Sequence, residues 1–167
     1  MKANRKKLAV LGVVVGLALF FTGAMVSADD GPGKQTLAGV WLGELTILSA
    51  CGSTGVLAQF PGLITYTSDG KVIETPASIA GFPGTVRTSP GLGSWQHEGG
   101  RQFSNVFRFF VITVPGGLPA GSGRITQAIQ LSQDGNSYAV TGTADFFDTS
   151  GTLIAHDCHT ATATRLD

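Results

Sequence analysis

Charged side chains are scarce in this chain of 167 residues: 13% are Asp, Glu, Lys or Arg, whereas 43% are hydrophobic. An intrinsically disordered chain has the opposite balance, so the composition excludes that class. The length favours one domain, because it leaves no room for a second large core. Residues that favour helices are also rare, since only three Glu and two Lys follow residue 28. We therefore expect an all-β fold.

The amino terminus has the three-part pattern of an export signal. Residues 1–7 contain four Lys or Arg, residues 8–26 are uncharged and mainly apolar, and 26–28 supply the small residues that a signal peptidase recognises. We predict a signal peptide at 1–28 and a β-barrel domain at 29–167, in a secreted or periplasmic protein. An uncleaved anchor is the alternative, because the apolar run is just long enough to span a bilayer.

Positive charge is in the minority once the predicted signal peptide is removed. Seven Lys and Arg then face eleven Asp and Glu, a net charge of −4. Nucleic acid and anionic membrane surfaces require clustered positive charge, so neither is expected as a partner. Contact with a membrane would occur only through an uncleaved export signal. No motif for a cofactor is present, and a small apolar ligand is the one partner that we expect.

Only two cysteines are present, Cys51 and Cys158. In an exported chain such a pair predicts a single disulfide. The alternative is a reactive or metal-binding thiol, because Cys158 lies in the segment His156-Asp157-Cys158-His159. Metal sites built on cysteine usually use more than one nearby sulfur ligand. We therefore predict the disulfide and no metal site.

Clusters of Gly, Pro, Asn and Asp divide residues 38–165 into segments typical of strands. Asp69-Gly70 and Asp134-Gly135 predict tight hairpins between such segments. Consecutive hairpins can form a closed up-and-down barrel, which removes exposed edges; a β-sandwich is the alternative. The cysteines favour the barrel, because a bridge would hold the first and last strands together. Eight strands are predicted: 38–48, 57–67, 70–79, 92–98, 101–114, 121–133, 136–147 and 152–165.

Gly39-Val40-Trp41 opens the first predicted strand, and Arg165 ends the last. This pattern resembles the calycins, which include the lipocalins and the avidin-like barrels. The resemblance implies that Trp41 and Arg165 close one end of the barrel, with the cation packed across the indole. The layout is also similar to the allene-oxide-cyclase-like barrels and to exported bacterial barrels in general.

An eight-stranded barrel is wide enough either to be filled by side chains or to hold one small ligand. The alternation of strand residues predicts that Phe103, Asn105 and Phe107 share one face. Aromatic side chains could line an apolar cavity while buried amides orient a ligand, although the same aromatics could fill a solid core. The candidate ligand-binding residues are Tyr66, Trp95, Phe103, Asn105, Phe107, Gln127 and Tyr138.

Candidates for catalysis carry no motif that assigns them a role. Adjacent residues of a strand point to opposite faces, so neighbouring His and carboxylate residues cannot form a local dyad. We predict a binder of a small apolar or amphipathic molecule. A barrel isomerase or cyclase acting on a small hydrophobic substrate, and a structural or interaction module with a solid core, are the alternatives. The ionisable candidates are His97, Glu98, Arg108, Asp145, His156, Asp157 and His159.

Overall fold

Antiparallel strands make up most of the computed structural model, which describes residues 35–76 and 86–166, without the side chains of 86 and 87. The predicted signal peptide at 1–28 lies outside the described residues. The strands are β1 (Gly39–Leu48), β2 (Val56–Tyr66), β3 (Lys71–Pro76), β4 (Val86–Thr88), β5 (Gly91–Gly99), β6 (Gln102–Thr113), β7 (Pro119–Leu131), β8 (Ser137–Phe147) and β9 (Leu153–Leu166).

Eight of these strands form a closed barrel. They pair in the order β1-β2-β3-β5-β6-β7-β8-β9, and β9 pairs back with β1, from Val40 opposite Leu166 to Ile47 opposite His159. The predicted all-β, up-and-down barrel is therefore confirmed, and the sandwich alternative is not formed. The sequence did not predict β4, whose three residues show no alternation; it pairs with β6 beyond the end of β5.

Aromatic side chains fill the interior at one end of the barrel, called the closed end here because Trp41 and Arg165 lie there. The rings of Trp41 and Tyr138 have centroids 4.7 Å apart, and those of Trp95 and Phe103 are 5.8 Å apart. These side chains come from residues that alternate along different strands, so pairing the strands brings them into one cluster. Leu37, Val72, Ile129 and Leu131 complete the packing.

Arg165 joins three segments at the closed end. Its guanidinium carbon lies 4.2 Å from the centroid of the Trp41 ring. The same group donates hydrogen bonds to the carbonyls of Ala38 and Thr36, each at 2.7 Å, and to that of Gly135 at 3.0 Å. Burial lowers the pKa of Arg165. The side chain thus holds the segment before β1, the β7–β8 turn and β9 together through hydrogen bonds made by one cation.

Gly39 leaves the space that the Arg165 guanidinium occupies. Its φ is +139°, and a Cβ at this position would stand 2.6 Å from Nη1 of Arg165. A side chain at residue 39 would therefore displace the guanidinium as well as strain the backbone. Two residues later, Nε1 of Trp41 donates a hydrogen bond of 2.8 Å to the carbonyl of Leu37. The Gly-x-Trp spacing provides room for the cation and a fixed ring beneath it.

The predicted disulfide between Cys51 and Cys158 is confirmed. It joins the β1–β2 loop to β9, with the two Cα atoms 5.0 Å apart and a sequence separation of 107. Cys158 is next to His159, the last residue of β9 that pairs with β1, and Arg165 lies at the other end of the paired stretch. Contacts at both ends of this stretch therefore secure the pairing of β1 with β9.

Removing the disulfide by Cys51→Ala and Cys158→Ala together is expected to lower the free energy of unfolding by about 3 to 5 kcal/mol, because the bridge closes a long loop in the unfolded chain. Urea unfolding of the variant and the wild type measures the difference. The wild type under reducing conditions should match the variant. Equal stability of the oxidised and reduced wild type would contradict the prediction.

Replacing Arg165 by Lys is expected to lower the free energy of unfolding by about 2 to 4 kcal/mol, because an ammonium cannot reproduce the three hydrogen bonds of the guanidinium. Urea unfolding measures this effect. Arg108→Lys is the matched control, since Arg108 is exposed on the outside of β6; its effect should stay within about 0.5 kcal/mol. Similar small losses for both variants would contradict the role given to Arg165.

Candidate ligand-binding cavity

A cavity of about 380 Å³ occupies the barrel interior away from Trp41. This volume is within the range of small-molecule sites, which is roughly 300–1,000 Å³. The cavity extends from Gln127 and Tyr138 to the end of the barrel opposite the closed end, where Phe146 and Ile154 contribute to its wall. Its lining is predominantly apolar. Most of that surface comes from inward residues of β1, β2, β6, β8 and β9, among them Phe60, Ile64, Phe107, Phe109, Val140 and Ala144.

The predicted ligand-binding residues fall into two groups in the structure. Phe107, Gln127 and Tyr138 line the cavity. The other four pack within the closed end or beside it and are not among the residues that line the cavity. Their positions follow from the aromatic cluster, which fills the closed end and restricts the free space to the other part of the barrel. These four are Tyr66, Trp95, Phe103 and Asn105.

A chain of hydrogen bonds crosses the interior at the inner end of the cavity. Nδ2 of Asn105 donates to the Tyr66 hydroxyl and to Oε1 of Gln127, each at 2.9 Å. Nε2 of Gln127 donates in turn to Nε2 of His159 at 3.0 Å. The ring of Tyr66 packs edge-on against that of Tyr138, with centroids 6.2 Å apart. The two amides that the sequence singled out, one buried and one half-buried, are therefore partners of each other and of buried rings.

Two buried polar atoms of these hydrogen-bonded side chains have no hydrogen-bond partner within the described residues: Oδ1 of Asn105 and Nδ1 of His159. Because Nε2 of His159 accepts a hydrogen from Gln127, the neutral ring carries its proton on Nδ1. Burial lowers the pKa of His159 to about 4, so the ring is neutral at physiological pH. His159, which lines the cavity, thus has a buried Nδ1–H donor that no described residue satisfies.

The position of His159 depends on Gly142, which lies opposite it on β8. A Cβ at residue 142 would stand 2.6 Å from Nε2 of His159 and 2.5 Å from the carbonyl of Thr126. Glycine therefore lets the imidazole cross β8 and reach Gln127 on β7. Sequence reasoning included His159 among candidates for catalysis but not for ligand binding. Ala161 and Ala163 point inward, and His159 lies two residues before Ala161, on the same face of the strand. This alternation is the signal that places His159 in the interior.

Glu74 is a cavity residue that sequence reasoning missed. It lies on β3 two residues after the buried Val72, so alternation directs it inward. Its carboxylate oxygens lie 3.4 and 3.3 Å from the points where Gly62 and Gly91 would carry a Cβ. Burial raises the pKa of Glu74 from its ordinary value of 4.5 to about 7. No side chain in residues 35–76 or 88–166 forms a hydrogen bond or ion pair with this carboxyl group.

The cavity lining carries negative but no positive side chains. Glu74 lies in the wall on β3, and Asp157 lies in it on β9. No Lys or Arg from the described part of the chain lines the space. His159 is the one imidazole in the wall, and it is neutral at physiological pH because burial lowers its pKa. An occupant therefore meets an apolar surface with uncompensated acidic groups.

The histidines outside the barrel do not form a site. His97 is exposed at the rim of the closed end, where its Nε2 lies 2.7 Å from the carbonyl oxygen of Gly100 and its ring packs on Phe103. His156 contacts Asp145 at 2.6 Å across β8 and β9 on the outer surface. The exposed carboxylate of Glu98 accepts hydrogen bonds from the side chains of Gln96 and Ser104. Arg108 is exposed on the outer face of β6.

One group of residues of the types that bind metal ions contains both cysteines. The sulfur atoms of Cys51 and Cys158 and a ring nitrogen of His156 all lie within 4.8 Å of one another. Both sulfurs are already joined in the disulfide, so neither is a thiolate that could hold a metal ion.

Among the described residues, no helix is long and apolar enough to cross a bilayer.

Glu74→Gln is expected to stabilise the protein at alkaline pH. The folded state binds more protons than the unfolded state between about pH 4.5 and 7, because the pKa of Glu74 is raised; stability therefore falls as the pH rises through this window. His159, whose pKa is lowered, acts in the opposite direction between about pH 4 and 6.5 and is unchanged in the variant. The variant should exceed the wild type by about 2 to 3 kcal/mol at about pH 8.

Urea unfolding at about pH 4, 6 and 8 checks this difference, which should disappear at the lowest pH. Glu98→Gln is the control, because Glu98 is exposed on the outside of the barrel and loses the same charge. A variant at residue 74 that is less stable than the wild type at about pH 8 would contradict the prediction, since it would mean that the carboxylate is stabilised by a partner.

Comparisons with known proteins include a distant structural likeness. The chain matches no protein-family model and no curated protein. A solved structure, Rv2717c from M. tuberculosis, is 11% identical in sequence, with 78% of this chain and 93% of that chain covered and a TM-score of 0.37. A likeness at this level carries no information about the function of the chain.

Proposed function

We propose that this protein is an exported β-barrel that binds one small apolar or amphipathic molecule inside the barrel. The observation that carries the proposal is the apolar cavity of about 380 Å³ between the aromatic cluster and the opposite end. Ligand sites of this kind combine an apolar wall with a few polar groups that orient the ligand. Gln127, Tyr138 and His159 supply such groups at the inner end.

The packing of the barrel supports binding over a purely structural role. Protein interiors are normally packed as densely as organic crystals, and a large apolar void costs stability. The aromatic cluster shows that this chain packs densely at the closed end, where Trp41 and Leu37 are fully buried. A solid core would extend that packing through the whole barrel. The space beyond Tyr138 is better explained by an occupant.

The proposed location is outside the cytoplasm, either secreted or periplasmic. Disulfides form and persist in oxidising compartments, and the bridge between Cys51 and Cys158 fits such a compartment. The export signal predicted at 1–28 agrees with it. The calycin resemblance, carried by Gly39, Trp41 and Arg165, is consistent with a carrier of small molecules and remains part of the proposal.

Ala144→Phe is expected to reduce ligand binding at least about tenfold, because Ala144 lines the cavity and a phenyl group would occupy part of it. Native mass spectrometry of the exported protein first identifies any molecule that co-purifies. Titration with that molecule, or with an environment-sensitive apolar dye, then measures the affinity of each variant.

Ala139→Phe is the matched control, because Ala139 is exposed on the outside of the same strand. It should bind as the wild type does. Equal binding by both variants would place the ligand outside the barrel, and no binding of any apolar probe by the wild type would overturn the proposed function.

A further inference from the structure

We propose that the cavity selects a cationic ligand, an apolar molecule that carries a protonated amine, and that Glu74 is the residue that pairs with the ammonium group. This inference rests on the proposed function, because it names the chemical class of the molecule bound. It follows from the charges and partners of the side chains in the cavity wall.

Glu74 is held in an apolar wall without a positive partner among the described side chains. A carboxylate removed from water is costly unless a cation or hydrogen-bond donors compensate it. Oε1 of the carboxylate faces Gly62, which lines the cavity and whose lack of a side chain leaves room beside it. An ammonium group in that space would provide the missing charge and up to three N–H donors.

The rest of the wall favours the same sign of ligand. Asp157 and the exposed Glu44 also contribute to the lining, and no Lys or Arg of the described residues lines the cavity to balance these carboxylates. Anionic ligands, including fatty acids, would be repelled by this arrangement. The net charge of −4 predicted for residues 29–167 would attract cations to the barrel in the same way.

An aromatic ring lies beside the carboxylate of Glu74. Cδ2 of Phe107 and Oε2 of Glu74 both approach the point where Gly91 would carry a Cβ, at 2.5 and 3.3 Å respectively. Phe107 also lines the cavity. The Phe107 ring therefore borders the carboxylate, and an aromatic ring near a bound cation adds to its attraction.

Two probes of the same shape but different charge test the proposal: octylamine, which is protonated at about pH 8, and octanol, which is neutral. Isothermal titration measures the affinity of the wild type, Glu74→Gln and Glu98→Gln for each probe. We expect the wild type to bind octylamine at least about tenfold more tightly than octanol. This preference should disappear in Glu74→Gln through loss of octylamine affinity and persist in Glu98→Gln, which loses the same charge on the outer surface.

The outcomes separate this inference from the proposed function. Equal binding of octylamine and octanol by the wild type would overturn the selection of a cation while leaving an apolar binding site in place. A preference for octylamine that persists in Glu74→Gln would overturn the assignment to Glu74. Binding of neither probe by the wild type would overturn the proposed function and this inference with it. The comparison of probes on the wild type needs no variant, so a folding defect in Glu74→Gln would not prevent the test.

Discussion

The pairing of β9 with β1 is the constraint on which the rest of this structure depends. It converts a meander of eight strands into a closed ring with an inside and an outside. Two different contacts secure it: the disulfide of Cys158 at one end of the paired stretch and the hydrogen bonds of Arg165 at the other. Without this pairing, β1 and β9 would be exposed edges, and the inward faces of the strands would not enclose a volume.

The enclosed volume is filled unequally, and this difference creates the candidate site. Large rings pack the closed end beneath Arg165, whereas smaller or more distant side chains leave the other part of the barrel hollow. The hydrogen-bonded chain from Tyr66 to His159 lies where the two parts meet. Polar groups at that boundary are held in place by partners in the packed part. They can therefore orient an occupant of the hollow part without being mobile themselves.

Alternation within strands made much of the architecture predictable. Phe103, Asn105 and Phe107 are all buried, as the period of two along β6 requires. The strands, the closure and the disulfide could be predicted because turn residues and cysteine positions are local signals. Alternation with Val72 directs Glu74 inward, but a single glutamate in a short strand gives no signal of its role. Its importance arises from its neighbours Gly62, Gly91 and Phe107, which come from three other strands.

The all-β composition, the positions of the turns and the alternation that separates inner from outer faces can be read from the amino-acid sequence, because these depend on residues close together in the chain. Which inner residues meet depends on the folded barrel. The register of β6, β7 and β9 brings Asn105, Gln127 and His159 into one hydrogen-bonded chain, and Gly142 permits the last contact. Whether an aromatic residue fills the barrel or lines a cavity depends on the side chains across the ring, which lie up to a hundred residues away in sequence and become neighbours only when the ring closes.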